Sequence, residues 1–141
     1  MRLYLDTNIL VFMTRYGRDD IDPNINSMLE DYSNNLLTST VCVQELIHLY
    51  QIGKMHPRRK DTLIKVEDFD KWLDSMNIKV VPVTLNHLRQ LATLPIDNDH
   101  RDPNDRLIIA QAISDKIPLV SSDRKFVKYE KYGLQFVFND R

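Results

Sequence analysis

Residues 100–112 read HRDPNDRLIIAQA, and they predict a helix with a well-defined start and a buried body. Asp102 suits the N-cap because its carboxylate can accept a backbone N–H. Pro103 suits the first helical position because the N–H that it lacks would have no partner there. From residue 107 onward the segment is apolar on nearly every side. We therefore expect this helix to lie deep in the interior of the protein.

Strands and helices alternate along the rest of the chain. Apolar runs predict strands at residues 2–5, 35–38, 78–83, 117–121 and 134–138. Capping residues and apolar residues spaced three or four apart predict helices that begin near residues 6, 22, 39, 61, 84 and 102. The helix that begins near residue 61 should end near residue 76. This alternation is typical of an α/β fold with a mainly parallel sheet covered by helices on both faces. We expect residues 1–141 to form one domain.

Composition narrows the class of protein. The 141 residues are 43% hydrophobic and carry a net charge of -1, which favours a globular chain and excludes a strongly basic nucleic-acid coat protein. A single cysteine, Cys42, excludes an intramolecular disulfide and suits a reducing cytoplasm; it is expected to be buried filler. No signal-peptide pattern and no membrane-helix stretch of roughly 20 apolar residues is present. We therefore expect a cytoplasmic protein without membrane attachment.

Four acidic residues stand where an α/β fold places its chemistry. Asp6 ends the first strand, Glu45 lies early in the helix after the second strand, Asp105 lies in the first turn of the buried helix, and Asp123 follows the fourth strand. Ligands bind at the carboxyl ends of such strands, where the strand order reverses. Two carboxylates about 5 Å apart repel each other by roughly 3 kcal/mol at an effective dielectric constant near 20. Protons or a divalent cation must compensate, and carboxylate oxygens suit Mg²⁺ or Mn²⁺.

Each acid also has a purely structural explanation. Asp102 and Asp105 could simply stabilise the start of a helix, and Asp6 could be an ordinary cap. Asp123 could be a turn residue, and Glu45 could be a solvated helix residue. The metal-site interpretation is favoured because all four residues fall on the same predicted edge of the sheet.

Four sequence blocks resemble one known family. They are LDTN at residues 5–8, QEL at 44–46, HRDPNDRLIIAQA at 100–112 and SSD at 121–123. In this order they resemble the PIN-domain ribonucleases, specifically the VapC-like toxins of type II toxin–antitoxin systems, and the resemblance spans essentially the whole chain. One departure is Asn104, where the family usually has an aromatic or large apolar residue. This change should affect local packing more than chemistry.

The resemblance implies a fold, an activity and partners. The fold would be a three-layer α/β/α PIN-like arrangement with a five-stranded, mainly parallel sheet in the order 3-2-1-4-5. The activity would be Mg²⁺- or Mn²⁺-dependent endoribonuclease cleavage of RNA, controlled by a cognate antitoxin protein, and a homodimer is a further expectation. The residues that the resemblance assigns to catalysis and metal binding are Asp6, Glu45, Asp105 and Asp123.

Neighbouring residues have supporting roles in this hypothesis. The resemblance implies that the Thr7 and Ser122 hydroxyls orient the carboxylates, and that Asp102 is either a helix cap or an outer ligand of the metal. His100 adjoins the acidic block, and it either orders the loop by a hydrogen bond, contacts phosphate or transfers a proton. Phosphate contacts are expected from basic side chains around the site. These candidates are Arg101, Arg106, Arg124, Lys125 and Lys128, with Lys54, Arg58, Arg59 and Lys60 as further ones.

Two other functions compete with the nuclease. An aspartate-based phosphoryl-transfer enzyme also begins with an acid after the first strand, but it generally needs a second aspartate two residues later, where this chain has Asn8. A catalytically silent PIN-type binding module or scaffold would keep the fold and lose the metal. A toxin would in addition need a surface for its antitoxin, for which the sequence suggests the middle helices with Leu63, Phe69 and Trp72.

Overall fold

The computed structural model describes residues 1–59, 61 and 63–141. Within these residues, five strands form one parallel sheet in the order β3-β2-β1-β4-β5. In chain order the strands are β1 (Arg2–Leu5), β2 (Asn35–Ser39), β3 (Ile78–Val81), β4 (Leu119–Ser121) and β5 (Phe136–Phe138). The predicted α/β fold and strand order are confirmed, although β3, β4 and β5 are each two residues shorter than expected.

Helices connect the strands. They are α1 (Thr7–Met13), α2 (Pro23–Glu30), α3 (Thr40–Gln51), α4 (Phe69–Ser75), α5 (Leu85–Thr93) and α6 (Pro103–Asp115), with 3-10 segments at Tyr16–Arg18, Val66–Asp68 and Arg124–Tyr132. The predicted N-caps are in place, because the side chains of Asp6, Asp22, Ser39, Thr84 and Asp102 each accept a backbone N–H at a helix start. Across the described residues, no helix has both the length and the apolar character needed to cross a membrane.

The predicted helix over residues 61–76 is wrong in its first half. A 3-10 turn begins only at Val66, and the α-helix begins at Phe69. Leu63, which set the apolar spacing, is 45% exposed, so the pattern did not mark a buried face. The Asp61 carboxylate instead accepts the backbone N–H groups of Tyr16 and Arg58, which holds this residue outside a helix. Lys60 and Thr62 lie outside the described residues.

The strand order determines where a site can form. β1 is buried between β2 and β4, and the chain moves one way from β1 through β2 to β3, then returns to place β4 on the other side of β1. Right-handed crossovers therefore put helices on both faces of the sheet, in three layers. α6 is deeply buried as predicted, since Ile108, Ile109 and Ala110 are at most 1% exposed. The order reverses between β1 and β4, and a crevice opens at their carboxyl ends.

Arg106 has a structural role that differs from its prediction. Its side chain is 8% exposed, and its two terminal nitrogens donate to the carbonyl oxygens of Pro95 at 2.9 Å and Leu94 at 3.0 Å. These bonds join the start of α6 to the end of α5. A guanidinium committed in this way is not available to a phosphate, so the predicted RNA contact does not fit its position.

Candidate active site

Asp6 is fixed at the carboxyl end of β1. It is 4% exposed, and it caps α1 by accepting the Thr7 backbone N–H on Oδ1 at 2.8 Å. Its other oxygen, Oδ2, accepts the Ser121 hydroxyl at 2.7 Å and the Asn8 side-chain amide at 3.3 Å. Burial raises the pKa of Asp6 to about 6. The negative charge of Asp105 also raises this pKa, whereas the hydrogen bond from Ser121 lowers it. The carboxylate is thus held rigidly but is costly to ionise.

Three other acids converge on Asp6 from separate elements. Glu45 comes from α3, Asp105 from the first turn of α6, and Asp123 from the turn after β4. Together with Asp6 they line one pocket of about 260 Å³. The remaining lining residues are Thr7, Asn8, Val11, Phe12 and Leu49. The four acids that the sequence singled out therefore surround a single small cavity.

These carboxylates disfavour one another's charge. Burial raises the pKa of Glu45 to about 7, and the charges of Asp6, Asp105 and Asp102 act in the same direction. The pKa of Asp105 is also raised, first by burial and then by the charge of Asp102, while its hydrogen bond with His100 acts in the opposite direction. A divalent cation among these oxygens would favour the ionised forms of all of them. The donor set consists of hard oxygens, which fits Mg²⁺ or Mn²⁺.

The serine hydroxyl that orients Asp6 belongs to Ser121 and not, as predicted from the sequence, to Ser122. The Ser122 Oγ accepts from the Asn139 side-chain amide at 2.8 Å, whereas Ser121 donates to Asp6. Ser121 is the last residue of β4 and Ser122 lies just beyond it, and their hydroxyls bond to different groups. Ser121 is fully buried and also accepts from Asn8 and from the backbone N–H of Asp123. It therefore joins the ends of β1 and β4.

Thr7, Asp102 and Asp123 are positioned by helix starts. Thr7 reaches Asp6 through its backbone amide and lines the pocket. Asp102 caps α6 by accepting the N–H groups of Asn104 at 2.9 Å and Asp105 at 3.3 Å, so it acts on the pocket through its charge. Asp123 caps the 3-10 segment after β4, accepting the Lys125 N–H at 3.0 Å. Asp102 and Asp123 thus each cap a helical segment, and they also lie near or at the pocket.

His100 is a buried neighbour of the acids. Its side chain is 5% exposed, and Nε2 lies 3.1 Å from Asp105 Oδ2 and 3.9 Å from Asp123 Oδ2. Its Nδ1 lies 2.8 Å from the Tyr129 hydroxyl. The sequence left the role of His100 open between ordering the loop, contacting phosphate and transferring a proton. In the structure it orders the loop before α6 and touches the acidic site as well.

Many of the basic side chains predicted to contact RNA phosphate form hydrogen bonds or ion pairs within the protein. Arg124 pairs with Asp140 at 3.3 Å, and the Lys125 ammonium donates to the Asp99 carbonyl at 3.2 Å. Arg101 is exposed beside the start of α6 and donates to the Asn98 side chain. Lys128 and Arg58 form ion pairs, Lys54 and Arg59 are exposed, and Lys60 lies outside the described residues.

Comparisons with known proteins agree with the fold. The fold matches VapBC2 from Rickettsia felis bound to a DNA fragment from their promoter, with 21% identity, 99% of this chain and 100% of that chain covered, and a TM-score of 0.63. It matches VapBC-1 from nontypeable Haemophilus influenzae with 20% identity, 100% of both chains covered and a TM-score of 0.66. It also matches DNA-bound VapBC from Salmonella typhimurium, with 15% identity, 98% of both chains covered and a TM-score of 0.68. No curated protein matches the sequence.

The family assignment rests on the sequence itself. The sequence model of the PIN domain matches residues 3–132, which include all four acids of the pocket. The solved structures share the fold at low identity, and they do so over nearly the whole chain. The protein therefore belongs to the PIN domain family.

Proposed function

We propose that this protein is a metal-dependent endoribonuclease. The observation that carries the proposal is the convergence of Asp6, Glu45, Asp105 and Asp123 on one pocket. At least three of them have raised pKa values there, which is the electrostatic condition that a bound divalent cation relieves. Mg²⁺ or Mn²⁺ in this pocket would supply a Lewis acid for the phosphodiester and an acidified water.

The chain's own residues divide the remaining work. Asp6 is the rigid ligand, because hydrogen bonds from Thr7, Asn8 and Ser121 hold both of its oxygens. Glu45 is only partly buried and lines the pocket, so its carboxylate is placed to accept a proton from an attacking water. Arg101, Arg124 and Lys125 lie exposed next to the acidic segments and would contact backbone phosphates.

Replacement of Glu45 tests this assignment. Glu45→Gln keeps the size of the side chain but removes its charge and its basicity, and we expect cleavage of a single-stranded RNA in Mn²⁺ or Mg²⁺ to fall by about 10²-fold, a typical loss for a general base. The control is Glu67→Gln, which changes an exposed acid in a 3-10 turn and should leave the rate unchanged. Cleavage by Glu45→Gln at the wild-type rate, or wild-type cleavage that persists in EDTA, would refute the mechanism.

We further propose that the nuclease is a toxin neutralised by an antitoxin protein. Support comes from the structural neighbours, which are VapBC complexes. An apolar cavity of about 600 Å³ on α3 offers a docking place for a partner helix, and its apolar lining consists of Val43, Ile47, Phe69 and Val80. Of the residues predicted for this contact, Phe69 lines the cavity, Leu63 is exposed, and Trp72 packs against the core. The predicted homodimer stays a prediction.

The antitoxin proposal is tested on the product of the neighbouring gene. We expect that protein to copurify with this one and to suppress RNA cleavage. Ile47→Glu puts a charge into the apolar cavity, so it should weaken the complex by at least about 10-fold, because an unpaired buried charge is costly. Gln44→Glu, on the polar rim of the same cavity, is the matched control. Equal affinities for both variants in a titration would place the partner elsewhere.

A further inference from the structure

Asp105 and Asp123 line the four-acid pocket and also lie close to a histidine side chain. Both carboxylates line the pocket with Asp6 and Glu45, and both also face the imidazole of His100. Nε2 of His100 and one oxygen from each of the two acids lie within 4.8 Å of one another. Three potential ligands from three separate segments therefore meet next to the four-acid pocket.

We propose that His100, Asp105 and Asp123 form a nitrogen-containing cation position that adjoins the four-acid pocket and prefers Mn²⁺ to Mg²⁺. The inference rests on the proposed function, because the two positions share Asp105 and Asp123. It goes beyond that function by adding a histidine ligand to a site otherwise made of oxygen atoms, and by assigning a preferred ion.

The two distances from the imidazole nitrogen to the carboxylate oxygens fit a shared ion. Two atoms that each lie about 2.1 Å from one metal are about 3.0 Å apart at a right angle and at most about 4.2 Å apart when they are opposite. The observed separations from Nε2 are 3.1 Å to Asp105 Oδ2 and 3.9 Å to Asp123 Oδ2. Both values fall inside this range. The carboxylates can also adjust, since their side chains are 24% and 32% exposed.

The imidazole is oriented from behind. Its Nδ1 lies 2.8 Å from the hydroxyl of Tyr129, which is 1% exposed, and the ring makes edge contacts with Phe126 and Tyr129 at centroid distances of 5.6 and 5.4 Å. When Nδ1 carries the ring hydrogen and donates it to Tyr129, the lone pair of Nε2 faces the two carboxylates. Metal-binding histidines are characteristically held in this way by a hydrogen bond from the other ring nitrogen.

A nitrogen ligand changes the preference between ions. Mg²⁺ binds oxygen ligands and gives up its water reluctantly, whereas transition ions accept imidazole readily. Loss of His100 should therefore weaken Mn²⁺ binding much more than Mg²⁺ binding. If His100 only donates a hydrogen bond to Asp105, its loss should change the affinity for both ions by the same factor.

The decisive measurement is pulsed electron paramagnetic resonance of the full chain with Mn²⁺ alone. We expect a nitrogen coupling to the bound Mn²⁺ that changes when the protein is labelled with ¹⁵N-histidine, and that disappears in His100→Gln. His48→Gln is the matched control, because His48 is an exposed histidine on the same helix as Glu45. A wild-type spectrum without nitrogen coupling would overturn the inference, and this result requires no variant to fold.

Calorimetric titration with Mn²⁺ and with Mg²⁺ gives an independent readout. We expect His100→Gln to lose at least about 10-fold in Mn²⁺ affinity, as metal-site substitutions typically do, and to lose much less for Mg²⁺. Tyr129→Phe keeps the ring packing but removes the hydroxyl, and should lose Mn²⁺ affinity in the same direction. An unchanged ratio of the two affinities contradicts the inference but leaves the nuclease proposal intact. Failure of the wild-type protein to bind either ion contradicts both.

Discussion

Asp6→Asn is expected to lower metal-stimulated RNA cleavage by about 10²–10³-fold, the loss seen when one preorganised electrostatic group is removed from a catalytic site. Asp6 is the most deeply buried of the four acids, and hydrogen bonds hold both of its carboxylate oxygens. Asparagine has nearly the same shape, but it carries no charge and is a poorer ligand for Mg²⁺ or Mn²⁺. The measurement is single-turnover cleavage at saturating metal.

The same substitution should not destabilise the metal-free fold. The amide side chain in Asp6→Asn can still cap α1 through its oxygen, since asparagine is as good an N-cap as aspartate, although its nitrogen can no longer accept the Ser121 hydroxyl or the long Asn8 hydrogen bond. The substitution also removes one charge from a pocket where Glu45 and Asp105 oppose ionisation. We therefore expect urea unfolding of the variant at pH 7.5 to require at least as much denaturant as the wild-type protein.

Asp22→Asn is the matched control for this prediction. Asp22 also caps a helix, α2, by accepting the Asn24 backbone N–H at 2.8 Å, and it is absent from the lining of the pocket. The control should leave both cleavage and stability near wild-type values. If Asp6→Asn lost activity only in proportion to unfolded protein, Asp6 would be a structural cap and not a metal ligand.

The metal-free protein is expected to lose stability as pH rises from about 4 to about 7. A carboxyl whose pKa is higher in the folded state than in the unfolded state binds its proton more tightly when folded. Its stabilising effect is therefore complete below the unfolded pKa and disappears as pH rises through the folded value. The Asp6 pKa rises from 3.8 to about 6. At 1.36 kcal/mol per unit of pKa, Asp6 accounts for roughly 3 kcal/mol, and Glu45 acts with the same sign.

A divalent cation should reverse this dependence. Metal binding requires the ionised carboxylates, so the stabilisation by Mn²⁺ should be small at pH 5 and large at pH 8. The test is urea unfolding of the wild-type protein at several pH values between 4 and 8, with Mn²⁺ and with EDTA. Asp6→Asn should show a flatter pH profile in EDTA. A wild-type stability that increases steadily with pH in EDTA would show that burial and mutual repulsion do not raise the pKa values of these acids.

Alternation of apolar runs and caps was enough to predict the general architecture. Asp6, Glu45, Asp105 and Asp123 lie at or just after the carboxyl ends of strands or at helix starts, and in a parallel sheet those positions face one edge. Their placement around one pocket follows from the order of the strands, which only the resemblance supplied. The sequence thus predicted the placement of those site residues whose positions are set by the order of strands and helices.

The errors concern details that depend on side-chain direction and tertiary contact. The choice between Ser121 and Ser122 depends on the exact end of β4, because one step along a strand moves a side chain to the opposite face. Arg106 was expected to contact RNA phosphate at the rim of the site, but the free carbonyl groups at the end of α5 bind its guanidinium. The helix over residues 61–76 failed because Asp61 is bound by groups distant in sequence.

The central position of β1 also affects how the protein is made. Ser121 bonds to Asp6 from 115 positions away, and β1 pairs with β4 as well as with β2. A nascent chain can join β1 to β2 early, but it has no complete pocket until β4 and Asp123 have emerged from the ribosome. Distant strand pairing of this kind is also slow to form. The proposed active site would therefore be completed only late in folding, after β4 has paired with β1.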